Sequence, residues 1–243
     1  MKIIDAHCQV GNGVDIKISA EELLREMDEN EIEKAVICPV DKFMAVYNRE
    51  GNDYIIDLAR KFPARFIGFA GINPWYGGKA VLELKRCLDD GLKGLVLYPF
   101  LQGFLLNDKL VFPLLQEMEK YGRPVYFHCG TLVSAEPYQL RDLAENFPKV
   151  NFIMGHCAFS DYWNDVILAG KNVKNIYFET SFIWPDMISN IIDKIGENRV
   201  IFGSGFPIDP VKTEIEKIKI ACPGRSGQLK IFEKNIKRLI GEK

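Results

Sequence analysis

The chain has little histidine and no cysteine pattern that could hold a fold together. Its six cysteines (Cys8, Cys38, Cys87, Cys129, Cys157 and Cys222) make no Cys-x-x-Cys pair and no dense framework. A disulfide scaffold is thereby excluded, and reduced thiols in the cytoplasm are expected. Charge of one sign is lacking too: a net charge of −2 offers no electrostatic footprint for nucleic acid. No apolar run approaches the roughly 20 residues of a membrane span. The chain enters a strand at its second residue, which leaves no room for a signal peptide. Fixed-length repeats, low-complexity tracts and linker-like stretches are missing as well. What remains is an ordinary globular composition, 47% hydrophobic and 26% charged over 243 residues, long enough for one large core.

Within that composition, short apolar runs alternate with amphipathic stretches. The runs at 2–8, 34–38, 66–72, 93–98, 123–128, 151–156, 175–181 and 199–205 read as strands. Between them lie helical patterns with recognisable ends. Ser19 is an N-cap ahead of Glu21 and Glu22, Gly91 and Gly122 end helices, and Pro185 opens one. Eight strand–helix units in succession predict an α/β fold, a (β/α)8 TIM barrel formed as a single domain over residues 1–243. Two helices near 211–221 and 226–240 follow, the last expected to pack outside the barrel.

That architecture gives the three histidines a location. His7, His128 and His156 close the first, fifth and sixth strands, and such barrels build their sites at the C-terminal strand ends. One histidine at a strand end is most simply a hydrogen-bonded structural residue. Three at one mouth point to a metal site, most simply zinc, whose imidazole ligands sit about 2.0–2.1 Å from the ion and hence within roughly 3–4 Å of one another. Gln9 alternates in phase with His7 and should face the same cavity, although it offers only a neutral carbonyl oxygen. A cysteine follows each histidine and is turned away from it by the same alternation.

The motifs around these residues resemble the amidohydrolase superfamily, in its amidohydrolase-related (amidohydrolase 2) branch of TIM-barrel metal-dependent hydrolases and decarboxylases. Ile4-Asp5-Ala6-His7-Cys8-Gln9 is similar to the I-D-x-H-x-H of that branch, and Gly91-Leu-Lys-Gly-Leu-Val-Leu-Tyr-Pro99 to its fourth strand. Pro124 to Gly130, Gly155-His156-Cys157 and Asn175 to Ser181 fit strands five to seven. Arg199-Val-Ile-Phe-Gly-Ser-Gly-Phe-Pro207 fits a strand-eight pattern usually ending F-G-S-D-x-P, and the tail Asn235 to Ile240 fits too. Two positions depart from the pattern. Gln9 stands where the branch has a second histidine, and Gly205 where it has the carboxylate that binds metal or handles a proton. Related phosphoesterase barrels need more histidines than this chain has, and the deoxyribonuclease branch needs a strand-four glutamate that is absent here.

The resemblance implies a metal-dependent hydrolase or carbon–carbon lyase (a decarboxylase) acting on a small carbonyl or carboxylic-acid compound, with an altered ligand set. His7, His128 and His156 would hold a divalent metal, most simply zinc, with Gln9 as a further ligand or a hydrogen-bond partner of bound water. Glu179, at the end of strand seven beside strand eight, is the candidate catalytic carboxylate. Asp5, Asp161 and Asp209 are weaker candidates whose plainer roles are caps and structural hydrogen bonds. Tyr98, Phe182 and Trp184, with Phe100 and Phe104, are placed to shape an apolar substrate pocket. Two other readings stay open. One is a catalytically degenerate barrel that binds a small molecule or serves as a subunit; the other is a metal-independent, lactonase-like hydrolase. The expected partner is a small-molecule substrate, with no nucleic acid and no membrane, and self-association into a homo-oligomer is compatible with the sequence.

Overall fold

The computed structural model describes residues 1–159 and 163–242. Among them ten strands run in chain order: β1 (Ile3–Asn12), β2 (Lys17–Ile18), β3 (Ile32–Pro39), β4 (Phe66–Gly68), β5 (Ala70–Gly71), β6 (Leu95–Leu97), β7 (Val125–His128), β8 (Phe152–Gly155), β9 (Ile176–Glu179) and β10 (Val200–Ile201). They form two hydrogen-bonded groups, β2-β1-β3-β4 and β10-β9-β8-β7-β6-β5. Every pairing is parallel except that of β2, which folds back on β1 as a short hairpin.

Two seams join the groups into one barrel. β4 and β5 are a single stave interrupted at Phe69, pairing first with β3 and then with β6. The Phe69 N–H donates to Ile37 O and the Ala70 N–H to Gly94 O, each at 2.9 Å. On the other side Ala6 N–H donates to Phe202 O at 3.0 Å, Gln9 N–H to Phe206 O at 2.9 Å and Gly205 N–H to His7 O at 3.1 Å. With β2 set aside and β4–β5 taken as one, the described residues make eight parallel staves, the (β/α)8 barrel that the alternation predicts. The eighth stave is the least regular. Its ladder covers only Val200–Ile201, and the expected remainder to Gly205 is irregular backbone bonded to β1.

Side-chain alternation divides the core into two layers. Ile4, Ala6, Val36, Cys38, Ile67, Phe69, Val96, Tyr126, Ile153, Tyr177 and Ile201 fill the barrel. Their strand neighbours, among them Ile37, Leu95, Leu97, Phe127, Met154, Phe178 and Phe202, face the helices. β1 breaks this rhythm once. A register shift lies between Asp5 and Cys8, so Ile4 and Ala6 point inward below it while Cys8 and Val10 point outward above it. Strict period-two alternation would put Asp5 in phase with His7; the bulge removes that phase, whereas His7 and Gln9 keep theirs.

Helix ends follow the local signals. Ser19 and Glu22 form a capping box on helix Ala20–Glu29, Pro185 opens Pro185–Ile195, and Gly122 ends Phe112–Tyr121 at a φ of 61°. The terminal helix Asn235–Ile240 differs from expectation: Ile236, Leu239 and Ile240 join the interior cluster instead of packing outside. A Lys34–Glu242 ion pair at 2.8 Å and a hydrogen bond from Arg123 to Ile240 O fix it beneath the starts of β3 and β7. It closes the floor, where open stave ends would otherwise leave apolar side chains in water. No helix among the described residues is long and apolar enough to cross a membrane.

The interior is filled to contact at Gly94, where an added Cβ would lie 2.5 Å from the fully buried Phe69 ring. Gly94→Ala is expected to lower the unfolding free energy by about 1–3 kcal/mol in chemical denaturation. Phe69→Leu should recover part of that loss in the Gly94→Ala background. An unchanged midpoint for the single variant would show that this layer has slack.

Candidate metal centre

His7, His128 and His156 come together at the C-terminal mouth of the barrel. One ring nitrogen from each lies within 4.8 Å of the others, somewhat wider than the spacing around a tetrahedral zinc ion. The residues are 3%, 6% and 5% exposed, so the cluster is closed to bulk water. His7 arrives on β1 within the bulge and His128 is the last residue of β7. His156, expected to end its strand, stands one residue past β8, where His156, Cys157 and Ala158 adopt φ values of 57°, 42° and 50°. Three consecutive non-glycine residues in the left-handed region cost on the order of 1–3 kcal/mol each, and persist only where surrounding contacts impose them.

Glu179 supplies those contacts. Its carboxylate is fully buried and accepts from four donors. Oε2 accepts from Tyr126 Oη at 2.7 Å, from the His156 N–H at 2.9 Å and from Ser181 Oγ at 2.9 Å, while Oε1 accepts from the Ser181 N–H at 2.6 Å. Its backbone carbonyl accepts from Cys157 Sγ at 3.1 Å. Small residues make this approach possible: an added Cβ on Gly203 would run into Oε1, and one on Gly155 would lie 2.5 Å from Tyr126 Oη. One side chain thus ties β7, the turn after β8, and β9 together.

The same bonds fix the imidazole tautomers. Ser181 gives its only hydroxyl proton to Glu179, so at 2.6 Å it accepts from His156 Nδ1. His156 Nε2 then carries a lone pair, which accepts from His128 Nδ1 at 3.0 Å. The chain of donors ends at His128 Nε2, a buried nitrogen with no hydrogen-bond partner among the described residues. Burial, reinforced by the mutual repulsion of His7 and His156, pushes His7 down to about 3. Burial alone brings His156 to about 3, and burial with the two neighbouring imidazoles holds His128 well below the usual histidine range. Three neutral, lone-pair-bearing imidazoles are what a divalent cation requires. The lone pair that His156 could offer an ion is the one that His128 now uses.

Each ring is clad by an aromatic partner. Tyr126 stacks on His7 (4.4 Å between centroids, 14° between planes), Tyr98 on His128 (4.1 Å, 10°) and Phe182 on His156 (4.5 Å, 19°). Of the expected pocket residues, Tyr98 and Phe182 therefore touch the imidazoles, whereas Trp184 is 69% exposed at the start of helix Pro185–Ile195. Gln9 is 5% exposed, and its side-chain amide makes no hydrogen bond among the described residues. Glu179 lies beneath the imidazoles with both carboxylate oxygens accepting hydrogen bonds. Asp5 Oδ1 accepts from the N–H groups of His7 (3.1 Å) and Ser204 (2.9 Å), pinning β1 to the eighth stave, and burial pushes its carboxyl up to about 6. Asp209 lies on the loop before helix Val211–Ala221, 3.9 Å from Lys217 Nζ, and Asp161 falls outside the described residues. Tyr126 and Ser181 complete the site without being candidates on residue type alone. Period-two alternation with His128 and Glu179 is the signal that would have found them.

This chain matches the family described as Amidohydrolase over residues 4–241. It belongs to the amidohydrolase family. A 2-amino-3-carboxymuconate-6-semialdehyde decarboxylase of Dictyostelium discoideum is 33% identical over 86 residues, covering 35% of this chain and 24% of that protein. This amidohydrolase-family chain thus spans about a quarter of that relative's length. A gamma-resorcylate decarboxylase of Rhizobium sp. (strain MTP-10005) is 22% identical over 254 aligned positions, covering 79% of this chain and 75% of that protein. In structure, a dihydroxybenzoic acid decarboxylase of Polaromonas sp. JS666, with bound manganese and 2-nitroresorcinol, superposes with a TM-score of 0.77. It is 17% identical, covers 99% of this chain and 97% of that one, and its likeness is one of fold.

Two outcomes follow. Tyr126→Phe keeps the ring on His7 but removes one donor from the Glu179 carboxylate, and should cost about 1–3 kcal/mol in unfolding free energy. A neutral result would mean that Glu179 does not need its fourth bond. Acid should also weaken the fold. Unfolded histidines take up protons below about 6.5. The native ones stay neutral to about 3 for His7 and His156, so stability falls as pH drops through that window. Asp5, raised to about 6, opposes this between about pH 6 and 4, because the native state binds its proton first. His7→Gln should flatten the slope near pH 5 by about one proton, roughly 1.4 kcal/mol per pH unit. A slope that survives His7→Gln unchanged would show that His7 is protonated in the folded state.

Proposed function

We propose that the chain is a metal-dependent decarboxylase of a small carboxylic acid, with the ion held by His7, His128 and His156. The observation that carries this reading is the convergence of three neutral, buried imidazoles, one ending in a nitrogen without a partner. Three imidazole nitrogens suit zinc, whereas a manganese-containing relative of the same fold weighs toward manganese. Such an ion, when bound, polarises a carbonyl or carboxylate oxygen and lowers the pKa of bound water toward about 7.

The chain's own residues would orient and enclose. Glu179, acting through Ser181, holds the proton on His156 Nδ1 and so aims the Nε2 lone pair at the centre; this makes it a positioning residue. Gln9 faces the same mouth and can hydrogen-bond a substrate oxygen. Tyr98 and Phe182 exclude water and offer flat apolar walls, which suit a planar acid.

Decarboxylation is favoured over hydrolysis by the carboxylate inventory. Hydrolysis needs a base to take the proton of an attacking water. Glu179 is buried and already accepts four hydrogen bonds, Asp5 accepts two backbone N–H groups on Oδ1 while its unpartnered Oδ2 is sealed in the interior, and position 205 is glycine. Loss of carbon dioxide needs no activated water: the carbon–carbon bond breaks, its electron pair stays on the substrate carbon, and that carbon takes up one proton from solvent admitted with the substrate.

The test is elemental analysis of protein purified without added metal, followed by turnover of gamma-resorcylate with manganese or zinc. About one ion per chain, turnover abolished by a chelator and restored by the ion, and a loss of about 100-fold or more in His128→Ala are expected. Hydrolysis of simple esters and amides should be weak or absent. Strong activity untouched by chelation would replace this reading with a metal-independent enzyme. An ion-loaded protein inert toward every aromatic acid offered would leave a binding barrel.

A further inference from the structure

Gly205 and Phe182 occupy one space. The Gly205 N–H donates to His7 O at 3.1 Å, so residue 205 sits beside the His7 backbone. A Cβ added there would lie 2.6 Å from Phe182 Cζ, 2.7 Å from its Cε1 and 3.3 Å from Ser181 Cβ. Phe182 in turn lies flat on His156 at 4.5 Å and meets Phe159 edge-on at 5.9 Å. Any side chain at 205 would therefore project into the volume of the Phe182 ring, which lies against His156. The backbone of both residues is left-handed, with φ of 70° at Gly205 and 69° at Phe182. For a bulky aromatic residue that is an outlier, held only by what the ring packs against.

We infer that Phe182 is the residue that limits the imidazole cluster to three protein ligands: its ring stands where a fourth ligand would have to enter, and only glycine at 205 lets it stand there. The inference rests on the metal reading above for the identity of what the cluster binds. Two consequences distinguish this arrangement from an incidental packing contact. A carboxylate introduced at 205 cannot reach the centre while the ring is present. Once the ring is removed, the same carboxylate can take the place of the ring beside His156 and add an anionic oxygen to three neutral nitrogens, a stronger set for a hard divalent ion. The side of the cluster not supplied by protein is then the side from which an exogenous carboxylate or phenolate approaches, and Phe182 sets how large that ligand can be.

A double-mutant cycle tests this with manganese chloride titrated calorimetrically into the full-length chain, alongside thermal melting of the metal-free proteins. Gly205→Asp alone is expected to bind manganese no tighter than the parent and to melt lower. In the Phe182→Ala background, Gly205→Asp should tighten manganese binding at least tenfold, and its melting penalty should shrink. Gly205→Ala, made in both backgrounds, reads the steric part without a carboxylate and keeps the test decisive if Gly205→Asp alone does not fold. Equal penalties for Gly205→Ala with and without the ring would overturn the inference. So would tightening by Gly205→Asp with Phe182 in place, or no tightening once the ring is gone. Tight binding by Gly205→Asp/Phe182→Ala and none by the parent would uphold the role of Phe182 while removing the metal reading of the parent site.

Discussion

The Glu179 carboxylate, buried inside the barrel and bound by four donors from three neighbouring segments, is the constraint on which the mouth depends. An ionised carboxylate cannot be left without partners at that depth, since the desolvation penalty is several kcal/mol. The surrounding chain meets this demand at some cost to itself. The turn after β8 enters left-handed backbone so that the His156 N–H can reach Oε2, and glycine at 155 and 203 clears room for the Tyr126 hydroxyl and the carboxylate. From this one anchor a directed series of donors runs through Ser181, His156 and His128. Their protonation pattern therefore originates below the site and not in solvent.

Aromatic cladding does the complementary work. Tyr126, Tyr98 and Phe182 each lie against one imidazole, excluding water and keeping all three rings neutral near pH 7. A dry, uncharged, lone-pair-rich cluster gains strongly from a divalent cation and poorly tolerates protons. The same burial that favours metal uptake makes the fold sensitive to acid. The aromatic walls also narrow the ligands that can approach to flat ones carrying an oxygen anion.

Much of this was legible in the sequence because parallel staves repeat one simple signal. Apolar runs at regular spacing define the barrel, and the position of each histidine at a run's end places it at the mouth. What escaped is where local backbone departs from that signal. The bulge in β1 uncouples Asp5 from His7, and no composition cue marks it. His156 lies in a left-handed turn whose cause is a carboxylate 23 residues further along the chain. The floor helix Asn235–Ile240 reads as an ordinary amphipathic tail until the open barrel end supplies its partner. Gly205 reads as a lost side chain, and the ring that fills its place is visible only in three dimensions. Tyr126 and Ser181 were within reach of period-two alternation, but neither residue type announces a metal site on its own.

Glu179 dictates the imidazole tautomers. Long-range proton–nitrogen NMR spectra of the 15N-labelled, metal-free protein at pH 7 measure this directly. With three histidines in the chain, every ring can be assigned by single substitutions. The account predicts neutral Nδ1–H tautomers for both His156 and His128, with no imidazolium signal from either down to about pH 5, where an unperturbed histidine would be charged. An Nε2–H tautomer for His156, or an imidazolium at pH 6, would contradict it.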